Sequence, residues 1–376
     1  MSDQKKIWLS PPHMSGSELD YIQQAFDTNW IAPLGPNIEG FEQDLENYLG
    51  NDSKVVILNS GTAALHLSLV LLGVGRDDFV LCQTKTFVAS ANPIVYLGAT
   101  PVFIDSEEDT WNMCPEQLEI AVKELISKRK KPKAIIAVHL YGMPYKIDEI
   151  TRIANSYNIP IIEDSAEALG SIYKGRPCGI FGKFSVLSFN GNKIITTSGG
   201  GALVTKDNTL KERANFLANQ ARDHDIEYLH SDIGYNYRMS NILAGIGRGQ
   251  MKVIEDRVKK RRDNFNHYVE HLGHISGISF QTEPEGFRSN RWLTCILLES
   301  HPIMEDLRVA LDKHNIESRP LWKPMHQQPV FKDCPKFLNG ISDDLFKRGL
   351  CLPSGSNLSN TDLERITSII KSYFSV

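Results

Sequence analysis

Apolar residues along this chain alternate between two registers. Short unbroken apolar runs at Lys54–Leu58, Phe79–Gln83, Pro101–Asp105, Ala134–Leu140, Pro160–Asp164 and Phe184–Phe189 have the length and β-branched content of buried strands. Between them the apolar positions spread to every third or fourth residue, the period of a helix with one covered face. That spacing predicts helices over Glu18–Thr28, Asn37–Leu49, Phe87–Leu97, Pro115–Ser127 and Lys146–Tyr157, with another opened by Asn59–Thr62 and carrying Leu65, Leu69 and Leu72 along one side. Strands that are apolar throughout, each followed by a helix, predict an α/β unit with a mostly parallel sheet covered on both faces. Ligands of such sheets bind at the carboxyl ends of the strands.

Beyond Gly201 the pattern changes. Ala221–Asn241 is polar and aromatic without a period, and reads as an extended loop of the kind that serves a function or crosses an interface. A long helical region is expected near 242–272. From about 275 the short strands near Gly277–Gln281 and Trp292–Leu298, with helices near Met304–His314 and Thr361–Tyr373, read as a smaller α+β domain. The expected division is therefore a large domain over 1–250 and a small one over 251–376, joined by the long helix.

Composition narrows the function. Of 376 residues, 41% are hydrophobic and 23% charged, as in an ordinary globular enzyme, and the net charge of −4 gives no reason to expect nucleic acid or an anionic membrane. Six scattered cysteines with no CxxC pair read as reduced core residues. His267, His271 and His274 have a metal-like spacing, but no carboxylate or cysteine accompanies them, so a solvated helix face accounts for them better. With neither a leader pattern at the N-terminus nor an apolar run of membrane-spanning length, a cytoplasmic location is expected.

The chemistry concentrates in Phe184–Gly201. A strand, a polar turn Asn190-Gly191-Asn192 and a single lysine, Lys193, precede a glycine run and a second apolar strand. An ammonium placed between buried strands is costly without a partner, so either it snorkels to the surface or it has chemical work. Asp164 ends another strand, and Ser60-Gly61-Thr62 turns a third into a helix whose free N–H groups suit a phosphate. One cofactor explains all three: pyridoxal phosphate. Lys193 would supply the amine for a Schiff base with its aldehyde. Asp164 would keep the pyridine nitrogen protonated. Gly61, Thr62, Ala63 and Ser188 would bind the phosphate, and Phe87 would lie on the ring.

The segments SGTAAL (60–65), TFVASANPI (86–94), EDSAEALGS (163–171), SFNGNKIITTSGGG (188–201) and GYNYRMSN (234–241) resemble, in order and across the whole chain, the DegT/DnrJ/StrS family. The resemblance implies the pyridoxal-phosphate-dependent transferase fold of aspartate aminotransferase, with a seven-stranded type of sheet, acting on nucleotide-linked keto sugars. It implies that Lys193 carries the cofactor and moves the proton, with Asp164, Phe87, Thr62, Ala63 and Ser188 in the roles above. It also implies a homodimer with shared active sites, Asn236 reaching the phosphate from the neighbouring subunit. One position departs: many relatives have histidine or glutamine where this chain has Glu167, facing the cofactor's phenolic oxygen. A carboxylate there would repel a phenolate, so Glu167 is expected to be protonated or to share a proton. With WIAPLGPNIEGFE (30–42) and SRPLWKPMHQQPVF (318–331), that glutamate resembles the N-acetylbacillosamine branch. The branch implies L-glutamate as donor and a UDP-linked 4-keto-6-deoxy-N-acetyl sugar as acceptor. Trp30, Arg238, Arg319 and His326 are candidate contacts, for which packing or surface roles stay open. Other readings also stay open: a GDP-perosamine type of substrate, amination on the opposite face of C4, or a non-catalytic cofactor-binding regulator. Dehydrating relatives carry histidine at the lysine position, which Lys193 argues against.

Overall fold

The computed structural model describes residues 5–50 and 52–375, so residues 1–4, which bear on the expected lack of a leader, lie outside the description. Its centre is an eight-stranded sheet. By first residue the strands run 54, 201, 184, 161, 134, 79, 100 and 336. The five neighbouring pairs from 184 to 336 are parallel, and Gly201–Thr205 is antiparallel to both its neighbours. Lys54–Leu58 is thus parallel to Phe184–Ser188 at one remove. The carboxyl ends of Lys54–Leu58, Phe184–Ser188 and Ile161–Asp164 consequently open on one edge.

The sheet is buried on both faces, and alternate residues of each strand show it. Val80 and Cys82 belong to one hydrophobic cluster with Phe103, Ile136 and Val138, whereas Leu81 belongs to another with Val102, Ile104, Ile135 and Ala137. This side-to-side alternation is the period of two, with both sides dry. Seven strands come from residues 54–205, as expected. The eighth, Lys336–Phe337, arrives from the C-terminal part and pairs in parallel with Phe103 and Ile104. Two residues leave no periodic trace in a sequence.

A second, four-stranded antiparallel sheet joins Ile278–Phe280, Thr294–Leu298, Gly349–Leu352 and Arg319–Pro320. Tyr268, Leu272, Leu307, Leu311, Ile366 and Ile370 from three helices pack against it. Ile7 packs there too and bridges to Ile316, so the N-terminal segment lies across the C-terminal part.

Two expected helices are different in detail. The region 242–272 is two helices, Asn241–Met251 and Ile254–Leu272, because Val253 leaves helical geometry at φ −122°. In the first, Gly247 and Gly249 let neighbouring helices approach: a Cβ would stand 2.4 Å from Phe41 and 2.9 Å from Glu18. The expected helix over Phe87–Leu97 is a 3-10 turn, Val88–Ser90, followed by the short helix Asn92–Tyr96, with Pro93 forcing a new start. Residues 221–240 hold only isolated bridges, as an extended loop should. Among the described residues no helix is long and apolar enough to cross a membrane. All six cysteines are free.

Candidate active site

At the open edge of the large sheet lies a cavity of about 540 Å³. The turn after Lys54–Leu58 forms one wall. Ser60 is extended (φ −166°) and caps the helix Gly61–Leu71 by accepting from the Ala63 N–H. Ala63 thereby has its donor engaged, while Gly61 and Thr62 occupy first-turn positions whose N–H groups have no intrahelical acceptor. Both line the cavity with Ser188, the last residue of its strand. Glycine is required here by crowding: a Cβ on Gly201 would lie 2.4 Å from the Gly61 nitrogen, and one on Gly61 would lie 3.1 Å from the Ser188 Cβ. The run at 199–201 therefore serves contact between backbones at Gly201, whereas Gly199 faces the cavity with nothing near it.

Asp164 ends the strand Ile161–Asp164 and is nearly fully buried. Ser90 donates to its Oδ2 at 2.6 Å, and the Ala166 N–H reaches Oδ1 at 3.2 Å. The Thr86 and Ser90 hydroxyls lie 2.7 Å apart. A carboxylate only accepts, so Ser90 must give its proton to Asp164 and receive one from Thr86. Each Asp164 oxygen keeps a lone pair for a further donor.

Lys193 follows the Asn190–Asn192 turn and donates its N–H to the Asn190 carbonyl at 3.0 Å. Its ammonium lies 3.3 Å from Glu167 Oε1 and 4.3 Å from the centre of the Trp292 ring. The Trp292 indole N–H donates to the Asn192 carbonyl at 2.7 Å, which ties the lysine turn to the tryptophan. Glu167 Oε2 accepts from the Tyr141 N–H at 2.7 Å. Burial pushes the Glu167 carboxyl up to about 7; the Lys193 charge and the Tyr141 N–H pull it down, and Asp164 adds to the rise. Tyr141 is held at φ 55°, a left-handed geometry costly for a residue with a Cβ, and its hydroxyl accepts from the Trp322 N–H at 2.8 Å. The Phe87 ring is more than half exposed and packs 5.4 Å from Trp322.

The structure brings Gly61, Thr62, Phe87, Asp164, Glu167, Ser188, Lys193 and Arg319 to one cavity. It does not bring the other candidates there. Arg238 turns its guanidinium to Glu42 and Asn215 within its own chain, at 3.1 and 2.6 Å. His326 is buried between Thr84 and Asp343. Trp30 is exposed away from the cavity, its carbonyl taken by Asn241. Asn236 is exposed, with its carbonyl accepting from Asn59. Sequence reasoning missed Ser90, Tyr141, Trp292 and Trp322. Ser90 stands four residues after Thr86, a hint that two hydroxyls share a face, but Tyr141 and Trp292 offer no such sign.

Among the described residues one buried group, His139, Glu163 and Cys178, has metal-like proximity. Glu163 is already spent on His139 at 2.6 Å and on the N–H groups of Gly179 and Phe181, as a satisfied core pair is. His267 and His271 stack ring on ring at 4.0 Å, and the His271 Nδ1 lies 2.9 Å from the His267 carbonyl oxygen.

First-turn donors, an accepting carboxylate with free lone pairs and a cavity-facing lysine fit a phosphorylated pyridine aldehyde. A sequence profile described as the DegT/DnrJ/EryC1/StrS aminotransferase family matches residues 12–371. EpsN of Bacillus subtilis (strain 168), provisionally named a pyridoxal phosphate-dependent aminotransferase, is 51% identical over 98% of this chain and 96% of its own. The GDP-perosamine synthase of Escherichia coli O157:H7 is 37% identical over 99% of each chain. Among solved structures, the Streptococcus pneumoniae protein Spr1654 in its PLP form, provisionally named a sugar aminotransferase, superposes with a TM-score of 0.89 at 28% identity, covering 99% of each chain.

Proposed function

Because the chain belongs to the DegT/DnrJ/EryC1/StrS aminotransferase family, we propose that it moves the amino group of L-glutamate to C4 of a UDP-linked 4-keto-6-deoxy-N-acetyl-hexosamine. It is a sugar aminotransferase that uses pyridoxal phosphate. The observation that carries the reading is the convergence of Lys193, Asp164 and the Gly61–Thr62 turn on one cavity, with Glu167 3.3 Å from the lysine. When bound, the cofactor supplies an electrophilic carbon and an electron sink. The chain supplies the rest. Lys193 holds the cofactor and relays a proton at Nζ. Asp164, steadied by Ser90, keeps the ring nitrogen protonated. Gly61, Thr62 and Ser188 take the phosphate, and Phe87 covers the ring.

Glu167 acts as a proton-sharing neighbour of the phenolic oxygen. A carboxyl pushed up to about 7 can be neutral beside that oxygen and donate to it. The assembly we propose is a homodimer in which Asn236 of one copy completes the other's phosphate site. Its support is the exposed apolar side chains of the loop 221–240 that carries Asn236, where Ile226 is 94% and Ile233 82% exposed.

A second reading has its own observation: the 37% identity with a GDP-perosamine synthase favours a GDP-linked 4-keto sugar of the perosamine type as acceptor. Incubation with glutamate and a panel of UDP-, GDP- and dTDP-linked 4-keto-6-deoxy sugars, followed by product NMR, separates the two. Turnover confined to the GDP or dTDP sugars would overturn the UDP assignment.

A further inference from the structure

An aminotransferase of this kind must admit two unlike molecules to one cavity in turn. The donor is a small dicarboxylate, whereas the sugar acceptor is uncharged at its reacting end. Among the described residues that line the cavity, the cations are Lys193 and Arg319, against the carboxylates Asp164, Glu167 and Glu317. Lys193 is held by Glu167 and reserved for the cofactor. A donor carboxylate entering a cavity with that balance has one cation of this chain to meet, Arg319.

Arg319 is not idle. Its Nε and Nη2 lie 3.1 and 2.9 Å from Glu317 Oε1. The two residues are two apart on an extended segment, so their side chains share a side. They are held very differently. The Glu317 N–H donates to the Ile7 carbonyl at 2.8 Å, and Glu317 Oε2 accepts from the Leu9 N–H at 3.0 Å. Its side chain is 19% exposed, whereas that of Arg319 is 68% exposed and has no other partner among the described residues. Glu317 is fixed and Arg319 can swing.

We infer that Arg319 exchanges partners during each catalytic cycle, pairing with Glu317 when the sugar occupies the cavity and with a carboxylate of the amino donor when the donor does. The internal pair neutralises the wall that an uncharged sugar ring faces. The exchange substitutes one carboxylate for another on the same guanidinium, so admitting the donor does not leave Arg319 unpaired. The inference rests on the proposed dicarboxylate donor and is independent of which sugar is the acceptor.

The test is calorimetric titration of the holoenzyme with glutarate, a dicarboxylate without an amine, alongside the glutamate half-reaction followed by cofactor absorbance. Arg319→Gln should weaken glutarate binding and raise the KM for glutamate by about 30-fold, which is ~2 kcal/mol. Glu317→Gln keeps an acceptor for the Leu9 N–H but removes the competing charge, so glutarate should bind several-fold tighter. Lys323→Gln, an exposed cation outside the cavity, controls for general charge. Glutarate affinity within twofold of the parent in Arg319→Gln would overturn the inference. Weaker binding in Glu317→Gln would also overturn it, since Glu317 would then be holding Arg319 in place for the donor. A parent enzyme that neither binds glutarate nor takes an amine from glutamate refutes the donor reading and this inference with it, whatever the sugar panel shows.

Discussion

Replacing Glu167 by glutamine tests the electrostatics of the site without its cofactor. The Glu167 carboxyl is buried, with one oxygen on the Tyr141 N–H and the other 3.3 Å from Lys193. Burial outweighs these contacts and raises the folded value from 4.5 to about 7. Below pH ~4.5 the group is protonated in both states and contributes no pH dependence. As pH rises through the interval from ~4.5 to ~7, the unfolded chain ionises while the folded one resists, so stability is lost over that window. The full loss is about 3 kcal/mol, at roughly 1.4 kcal/mol for each tenfold difference in proton affinity between the folded and unfolded chains. Most of that loss, about 2 kcal/mol, falls between about pH 5 and pH 8. Glu167→Gln cannot ionise, and its amide oxygen can still accept from Tyr141. Urea unfolding of both apoproteins at the two pH values should therefore show the variant gaining about 2 kcal/mol on the parent from the lower pH to the higher. No relative gain, or one of opposite sign, would refute the claim that burial dominates at this carboxyl. With cofactor bound, the absorption band and its pH midpoint should hardly differ between the two proteins, because a neutral amide replaces a neutral acid.

Other perturbations separate the supporting parts. Lys193→Ala should abolish transamination and covalent retention of the cofactor; surviving turnover would end the assignment of the lysine. Ser90→Ala removes a hydrogen bond to a charged group, worth about 1.5–3 kcal/mol, so cofactor affinity measured by fluorescence titration should fall by roughly tenfold or more. Thr86→Val, one step further from Asp164, should cost less. Gly201→Ala forces a Cβ to 2.4 Å from the Gly61 nitrogen and should lower both the melting temperature and cofactor affinity, by about 1–3 kcal/mol of overpacking. Gly199→Ala, which meets nothing within 4 Å, should leave the melting temperature alone. Trp292→Phe keeps a ring beside Lys193 but loses the bond to Asn192, whereas Trp292→Leu loses both; kcat should fall in that order, and equal values would mean the ring face does nothing.

Much of this architecture was legible because a parallel sheet covered on both sides writes itself as unbroken apolar runs. Val80-Leu81-Cys82 needs no tertiary knowledge to be read as dry on both faces. Lys193 stood out for the complementary reason, being a cation among such runs. The strand Lys336–Phe337 was invisible because pairing with Phe103 and Ile104 depends on where the preceding hundred residues lead the chain. The break at Val253 was hidden by helical spacing that continues on both sides of it. The glycine run was half legible: its position beside Lys193 was readable, but crowding of Gly201 against Gly61 exists only once two strands are adjacent. Arg238 and His326 sit in segments rich in site residues, yet their partners Glu42 and Thr84 lie nearly two hundred or more positions away in the chain. Such distant pairings have no local signature.

The late edge strand has a consequence for synthesis. Thr100–Ile104 borders the sheet, and its outer hydrogen bonds come from Pro335 and Phe337, which accept from the N–H groups of Phe103 and Asp105. The carboxylate of Asp105 also takes the N–H groups of Gly340 and Ser342, fastening the start of the helix Ile341–Arg348. On the ribosome the apolar edge Thr-Pro-Val-Phe-Ile emerges long before the residues that cover it. For that interval it is an open template for another nascent chain. A chain ending before Pro335 should therefore be lost to aggregation during expression, and a brief pause in translation past this point should favour soluble protein. The last part of the polypeptide thus seals an edge made by its first third.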